Sequence, residues 1–327
     1  MFRLPAAVST ANRSIAEIIC RVVFCVLPIA FGVVVLCPEP ASACACGCGV
    51  FDVGTASMFP TGTGGFAYLE YEFLNQDRNW NGTSRAPAAD NDDKDIKTHF
   101  LTAGLNYTFN HSWGIQVQLP YWERYFKTTD SDTGTIVSFD HGSIGDVRLM
   151  GVYTGFSGDM STGVRFGLKL PTGDHTYPGF DRDTEIGTGS TDALLGAYHM
   201  GRFASDSDFS WFIQVMWDQP FADEDHYRPG AEINGTLGLY YEGWTIGDKL
   251  KISPVLQVLG SHRAQDSGAN SNRPNSGYDR VLISPGLEFN AGSYKVNVDV
   301  GIPAYQNMIG NQLTAPEFIK LVVGYNF

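Results

Sequence analysis

Phe318-Ile319-Lys320-Leu321-Val322-Val323-Gly324-Tyr325-Asn326-Phe327 is the last stretch of the sequence, and its order decides the fold. Ile319, Leu321, Val323, Tyr325 and Phe327 recur at every second position, with Lys320, Gly324 and Asn326 between them. Side chains along an extended strand point to alternate faces, so this segment has one apolar face and one that is not. The same split sets Tyr294, Val296, Val298, Val300 and Ile302 against Lys295, Asn297 and Asp299. It sets Trp113, Ile115, Val117, Leu119 and Tyr121 against Gln116 and Gln118, and Leu250, Ile252, Leu256 and Val258 against Lys249, Lys251, Ser253 and Gln257.

Working back from the end, period-two segments separated by Asn, Asp, Gly and Ser place twelve strands. They are expected at 65–75, 96–109, 113–127, 143–156, 160–171, 188–203, 209–221, 231–243, 249–261, 279–290, 293–302 and 316–327. The connections at 110–112, 157–159, 204–208, 244–248 and 291–292 are short. Those at 76–95, 128–142, 172–187, 222–230, 262–278 and 303–315 are longer, so short and long alternate.

A soluble β-sandwich shares the alternation within strands, but nothing makes its loops alternate in length. Lipid offers the backbone no hydrogen-bond partner, so a sheet spans a membrane only as a closed barrel with an apolar outside. Bacterial barrels also have short periplasmic turns and longer extracellular loops. Trp113, Tyr121, Trp122, Tyr125, Trp211, Trp217, Tyr240, Tyr241, Trp244 and Tyr325 gather near strand ends, as aromatic girdles do. The expected fold is therefore all-β: a transmembrane antiparallel up-and-down β-barrel of twelve strands over 65–327. An even strand number puts both ends of the barrel on the periplasmic side, and the terminal Phe327 strand resembles the signal read by the outer-membrane assembly machinery.

Composition agrees. In 327 residues, Asp+Glu number 35 against 22 Lys+Arg, a net charge of -13, which excludes a basic face for tracking nucleic-acid phosphates. After the first forty residues no apolar run approaches the roughly 20 residues of a spanning helix. Ahead of the barrel, Arg3, Arg13 and Arg21 precede the apolar run 22–36, and Ala41-Ser42-Ala43 follows as an A-x-A site. Residues 1–43 therefore read as a secretory signal peptide, leaving a mature net charge of -14 and a Cys- and Gly-rich periplasmic extension at 44–64. The cysteines retained are Cys44, Cys46 and Cys48. Three readings of this C-x-C-x-C stand: a disulfide with one thiol left over, a soft-metal site for Cu(I) or Zn, and lipidation of Cys44. No haem pattern or other cofactor motif is present.

Three further stretches carry a resemblance. Ser143-Ile144-Gly145-Asp146, Gly167-Leu168-Lys169-Leu170-Pro171-Thr172-Gly173-Asp174 and Gly187-Thr188-Gly189-Ser190-Thr191-Asp192 resemble the MetA-pathway of phenol degradation family of outer-membrane transporters. The resemblance covers most of 50–327 and implies a Gram-negative outer-membrane channel or transporter for a small solute, aromatic or otherwise organic.

If the apolar faces meet lipid, the opposite faces line the lumen. Its candidate selectivity residues are Asp146, Arg148, Arg165, Lys169, Asp192, Arg202, Asp218, Glu232, Lys251, Arg280, Glu288, Lys295 and Asp299. The same mixed charges serve either a polar conduit with selective rings or an interior of mutually satisfied ion pairs. Few aromatics fall on these inward positions, which argues against a greasy tunnel. Acidic loop runs around Asp90–Asp95, Asp181–Glu185 and Asp223–Asp225 are solvated loops or bridges for divalent ions to lipopolysaccharide phosphates.

His141 and Ser143 share the parity of Val147 and Leu149, which would turn both toward lipid, and the pair is similar to the His-x-Ser of outer-membrane phospholipase A. The Asn that should follow about a dozen residues on is absent, since Gly155, Phe156 and Ser157 stand there. The reading is thus a non-enzymatic channel for a small solute in the outer membrane. Its rivals are a barrel that anchors a metal-handling or partner-docking cysteine site, and a lipid hydrolase.

Overall fold

The computed structural model describes residues 58–130, 132–247 and 249–327. The leader, Cys44, Cys46 and Cys48, and most of the expected extension lie outside the described residues. In chain order the strands are β1 (Gly64–Gln76), β2 (Arg78–Gly82), β3 (Ser84–Arg85), β4 (Asp93–Thr108), β5 (Trp113–Thr129), β6 (Ile136–Ile144), β7 (Arg148–Tyr153) and β8 (Thr162–Lys169). There follow β9 (Thr191–Arg202), β10 (Phe209–Ala222), β11 (Glu232–Tyr241), β12 (Trp244–Ile246), β13 (Leu250–Arg263), β14 (Tyr278–Ala291), β15 (Tyr294–Thr314) and β16 (Phe318–Asn326).

Each wall strand pairs antiparallel with its neighbours in sequence, and β1 closes the ring by pairing with both β4 and β16. With β6 and β7 counted as one interrupted strand, and β2, β3 and β12 as additions beyond the wall, twelve strands form the barrel. The closing register runs from Phe66 opposite Asn326 to Leu74 opposite Phe318. At its end the Gly65 N–H donates to the Phe327 carbonyl at 2.8 Å, and the Phe327 N–H donates back to Gly65 at 2.9 Å. Both ends of the barrel sequence thus lie at the end that carries the short turns, called here the turn end; the opposite end is the loop end.

The alternation is realised as expected. Ile319, Val323 and Tyr325 are exposed on the outer face, whereas Lys320 and Val322 are buried inside. On β10, Phe209, Ile213, Val215 and Trp217 face out, and Phe212, Gln214, Met216 and Asp218 face in. These outer residues, with Leu237, Leu239, Leu256 and Val258 on the strands beside them, form the apolar band that meets lipid.

Two expected loops are instead strand. Residues 136–142 belong to β6, and 303–314 extend β15, which pairs there with β14 and with β2. Above the lipid a strand needs no apolar outer face, so the alternation that marks the wall fades. The outward positions of β6 include Ser138, Asp140 and Gly142. The interruption at 145–147 also shifts parity, because Ile144 and Leu149 both face out. As a result His141 is half-buried on the inner side of β6 rather than turned to lipid, and the lipid-boundary placement inferred for His141 and Ser143 is corrected.

The inside is layered and is less uniformly polar than the inward charges suggested. Leu74, Phe100, Met150, Leu194, Met216, Leu259, Leu282 and Phe318 are buried as one cluster that reaches around the lumen, with Trp122 packed against it. A second cluster at the turn end joins Phe59 to Val152, Tyr198, Phe212, Tyr240 and Val255.

Ile213 sits midway between the flanking aromatics of β10, so Ile213→Arg puts a charge near the centre of the apolar band. The expected cost is about 2–4 kcal/mol of unfolding free energy in lipid vesicles, measured by urea titration. A loss below about 1 kcal/mol would contradict the lipid-facing assignment.

Candidate functional site

The three family-like stretches, separated in sequence, meet in space where the 170–190 connection turns inward from the loop end. Asp146 sits at the meeting point. Its Oδ1 accepts the Gly173 N–H at 3.0 Å, and its Oδ2 accepts the Thr188 N–H at 2.9 Å and the Thr188 hydroxyl at 2.6 Å. One carboxylate thereby holds both ends of the loop. The Thr172 hydroxyl donates to the Gly145 carbonyl at 2.9 Å and accepts the Val147 N–H at 2.9 Å, which fills the interruption between β6 and β7. The strands of the neck come so close that a Cβ on Gly173 would lie 2.6 Å from the Gly187 Cα, and the Gly187 N–H donates to the Asp174 carbonyl at 2.6 Å. Only glycine fits such an approach.

Beyond the neck the loop lies across the lumen, held by side chains from several strands. Arg124, fully buried on β5, donates to the carbonyls of Thr184 and Glu185, the latter at 3.1 Å, and its Nε donates to the Thr98 hydroxyl at 3.0 Å. Phe180 packs into the cluster of Ile96, Phe126 and Leu313. His141 Nε2 lies 2.9 Å from Asp174 Oδ2, with its ring stacked on Tyr177 at 3.8 Å. His175 reaches the loop after β10, with Nε2 at 3.1 Å from Glu224 and 3.5 Å from Asp225. Arg182 lies over the Tyr227 ring at 4.4 Å and donates to the Thr188 carbonyl at 2.7 Å.

Burial, reinforced by the Asp174 charge and only partly offset by Arg182, pushes the Glu185 carboxyl up to about 8. Asp174 moves the other way: burial opposes the change, but the Thr176 N–H and His141 hold it below the usual carboxylate range.

The thirteen charged candidates do not form one ring. Asp146, Arg148, Lys169, Asp192, Asp218 and Glu232 gather beneath the loop. All but Asp146 line a cavity of about 100 Å³ there, together with Arg182 and Glu185 of the loop. Lys169 is bound between Asp192 and Asp218, the second at 3.5 Å. Arg280 stacks on Tyr278 at 4.0 Å on the same half, and Glu232 accepts from Ser261 at 3.0 Å and Tyr278 at 3.1 Å. Asp299 lies deeper, accepting the Ser284 hydroxyl at 2.7 Å, near Lys320, which is held by Glu70 at 3.1 Å and Glu72 at 2.8 Å.

The others belong to the turn end. Arg202 and Lys251 converge on Glu242 at 3.0 and 2.7 Å, and Glu288 accepts from Asn290 at 2.9 Å. Arg165 and Lys295 line a cavity of about 280 Å³ beside Phe59. Phe59 itself is stacked on Tyr198 at 4.4 Å.

Sequence reasoning missed Arg124, although it continues the inward parity of Gln116 and Gln118; it also missed His141, His175, Arg182 and Glu185 as tethers. The acidic loop runs resolve into specific contacts, such as Asp223 with Arg228 at 2.6 Å and Asp93 with the Thr128 hydroxyl at 2.9 Å. Among the described residues no group of three or more His, Cys, Asp or Glu is arranged to hold a metal ion.

No protein-family model and no curated protein sequence matches this chain. Solved structures do. The fold is similar to a COG4313 outer membrane channel from Pseudomonas putida F1, at TM-score 0.60 and 11% identity over 84% of this chain and 100% of that one. Weaker likenesses are to the β domain of the Bordetella autotransporter BrkA (TM-score 0.46, 13% identity, 81% of this chain and 100% of that one) and to the CymD monoaromatic hydrocarbon channel (TM-score 0.40, 9% identity, 81% and 89%). At 11% identity the first of these likenesses shows a shared barrel fold.

Asp146→Ala removes three hydrogen bonds from the neck, each to a charged acceptor. Tryptic cleavage after Arg182 in the folded barrel is expected to become at least about tenfold faster. Unchanged cleavage would show that the neck does not depend on this carboxylate.

The Glu185 group binds its proton more tightly in the folded loop than at its ordinary value of 4.5, so loop closure is most favourable at low pH. That advantage is lost as pH rises from about 4.5 to about 8. Hydrogen exchange of residues 174–187, corrected for intrinsic rates, should accelerate across this window, and Glu185→Gln should flatten the trend. An identical slope in the variant would rule out Glu185 as its source.

Proposed function

We propose that the chain is a gated channel for a small solute in a bacterial outer membrane, with the turn end in the periplasm and the 170–190 loop as the gate. The observation that carries this reading is the difference between the wall and the loop. The wall is closed by continuous backbone ladders, whereas the loop crosses the lumen on side-chain contacts centred on Asp146, Arg124 and His141. A ladder opens only when the barrel unfolds, but a clasp of single hydrogen bonds, each worth about 1–3 kcal/mol, opens within the native state. The similarity to an outer-membrane channel supports the same reading.

In this orientation the outer apolar band contacts outer-membrane lipid, and the polar loop end lies at the level of lipopolysaccharide. The terminal strand ending in Phe327 is the segment presented to the assembly machinery. The charges beneath the loop are the filter, with Lys169 held between Asp192 and Asp218. His141 serves as a tether to Asp174, so the channel has no need of a hydrolytic role for the His141 and Ser143 pair.

The test is single-channel recording in a planar bilayer with the chain from residue 44, beside a variant in which 174–186 is replaced by a short Gly-Ser linker. Brief, infrequent steps from the first and more frequent, longer-lived steps from the second are expected. Silence from both would mean a permanently filled barrel and would end the channel reading.

A further inference from the structure

Buried cations in this lumen mostly come with carboxylates: Lys169 has Asp192 and Asp218, and Lys320 has Glu70 and Glu72. Arg165 is different. It is 6% exposed on β8, its Nη2 donates to the neutral Gln214 Oε1 at 2.8 Å, and its Nε is buried without a hydrogen-bond partner among the described residues. Its guanidinium also lies over the Phe59 ring, 5.7 Å from the centroid.

The cavity of about 280 Å³ that Arg165 lines has one further charged side chain, Lys295, which is half-buried and lies 5.8 Å from the Phe66 ring centroid. Both side-chain charges around this space are positive, and among the described residues no Asp or Glu lines it. The terminal carboxyl group of Phe327 also borders it, but it accepts the Gly65 N–H at 2.8 Å rather than pairing with either cation. The rest of its wall combines rings and aliphatic groups, Phe59, Phe66, Tyr198 and Val152, with the amides Asn106 and Gln116.

A guanidinium taken out of water is costly unless an opposite charge and hydrogen bonds compensate it. Here the barrel supplies one amide and aromatic faces but no carboxylate, beside a cavity large enough for a small molecule. An anion with a carboxylate for Arg165 and a flat apolar body for the rings satisfies the charge and the wall together.

We propose that the turn-end cavity is a binding site for a small organic carboxylate with an apolar, ring-sized body, held by Arg165 and assisted by Lys295. This deepens the channel reading, on which it rests for a route to the site, by naming a class of solute. Phe59, stacked on Tyr198 and edge-on to Phe212 at 5.7 Å, forms one wall, so the segment around 58–63 is part of the site as well as an obstruction at this end.

The probe is benzoate, titrated into the refolded full-length mature barrel and followed by calorimetry, with neutral benzyl alcohol and chloride as comparisons. Saturable benzoate binding is expected. It should weaken at least tenfold in Arg165→Met and by a smaller factor in Lys295→Met, and stay unchanged in Arg202→Met, whose cation already pairs with Glu242. Heat-modifiable gel mobility identifies folded variants; if Arg165→Met does not fold, the Lys295→Met effect and competition by chloride decide.

Benzyl alcohol binding as well as benzoate, chloride displacing benzoate at equal concentration, undiminished binding by Arg165→Met, or no benzoate binding to the wild type would each overturn the proposal. The readout is independent of conductance. A barrel that conducts but does not bind benzoate refutes the site and leaves the channel, whereas a silent barrel that binds benzoate does the reverse.

Discussion

Everything in this molecule depends on backbone hydrogen bonds that have no substitute in hydrocarbon. A free strand edge in lipid would leave a row of N–H and C=O groups unpaired, so the sheet must return to its own first strand. Here β1 does this with β16 over nine residue pairs, finishing at the reciprocal bonds of Gly65 and Phe327. Once the ring is closed, strand parity acquires a physical meaning: one face meets lipid and the other is enclosed.

Enclosure then creates a second problem, since inward charges lose water. The barrel answers it unevenly. Lys169 and Lys320 sit between carboxylates, and Glu232 is surrounded by hydroxyl and amide donors, so their charges are largely spent within the wall. The inward 170–190 loop is fixed by the same currency of hydrogen bonds, with Asp146 binding its two ends and Arg124 its turn. Such contacts give way to water far more readily than a buried ladder does, which is why a loop that can be released and a rigid wall can belong to one barrel.

Legibility followed the range of each interaction. The wall strands were readable because alternation is enforced wherever lipid touches the outer face, and so was the inward assignment of Arg165, Lys169, Asp192 and Asp299. The reading faltered where that enforcement stops. Outside the lipid β6 and the far half of β15 carry polar outward residues, so strand resembled loop there, and the parity shift at 145–147 moved His141 from the outside to the inside. The buried apolar girdle of Leu74, Met216, Leu259 and Phe318 was hidden for a related reason, because an inward Phe318 beside an outward Ile319 breaks no composition rule.

The sequence by itself determined what a residue shares with its immediate neighbours: an extended backbone, a period of two, the positions of most turns, and hence the identity of most inward charges. Only the tertiary structure decided which of those charges meet. Asp146 and Thr188 are 42 residues apart, and Arg124 and Glu185 are 61 apart. Arg165 finds Gln214 and Phe59 rather than a carboxylate because of which strands became neighbours and where the segment at 58–63 came to rest. Face is a local property of a strand, whereas partnership depends on ring closure and on the path of a loop through the enclosed space.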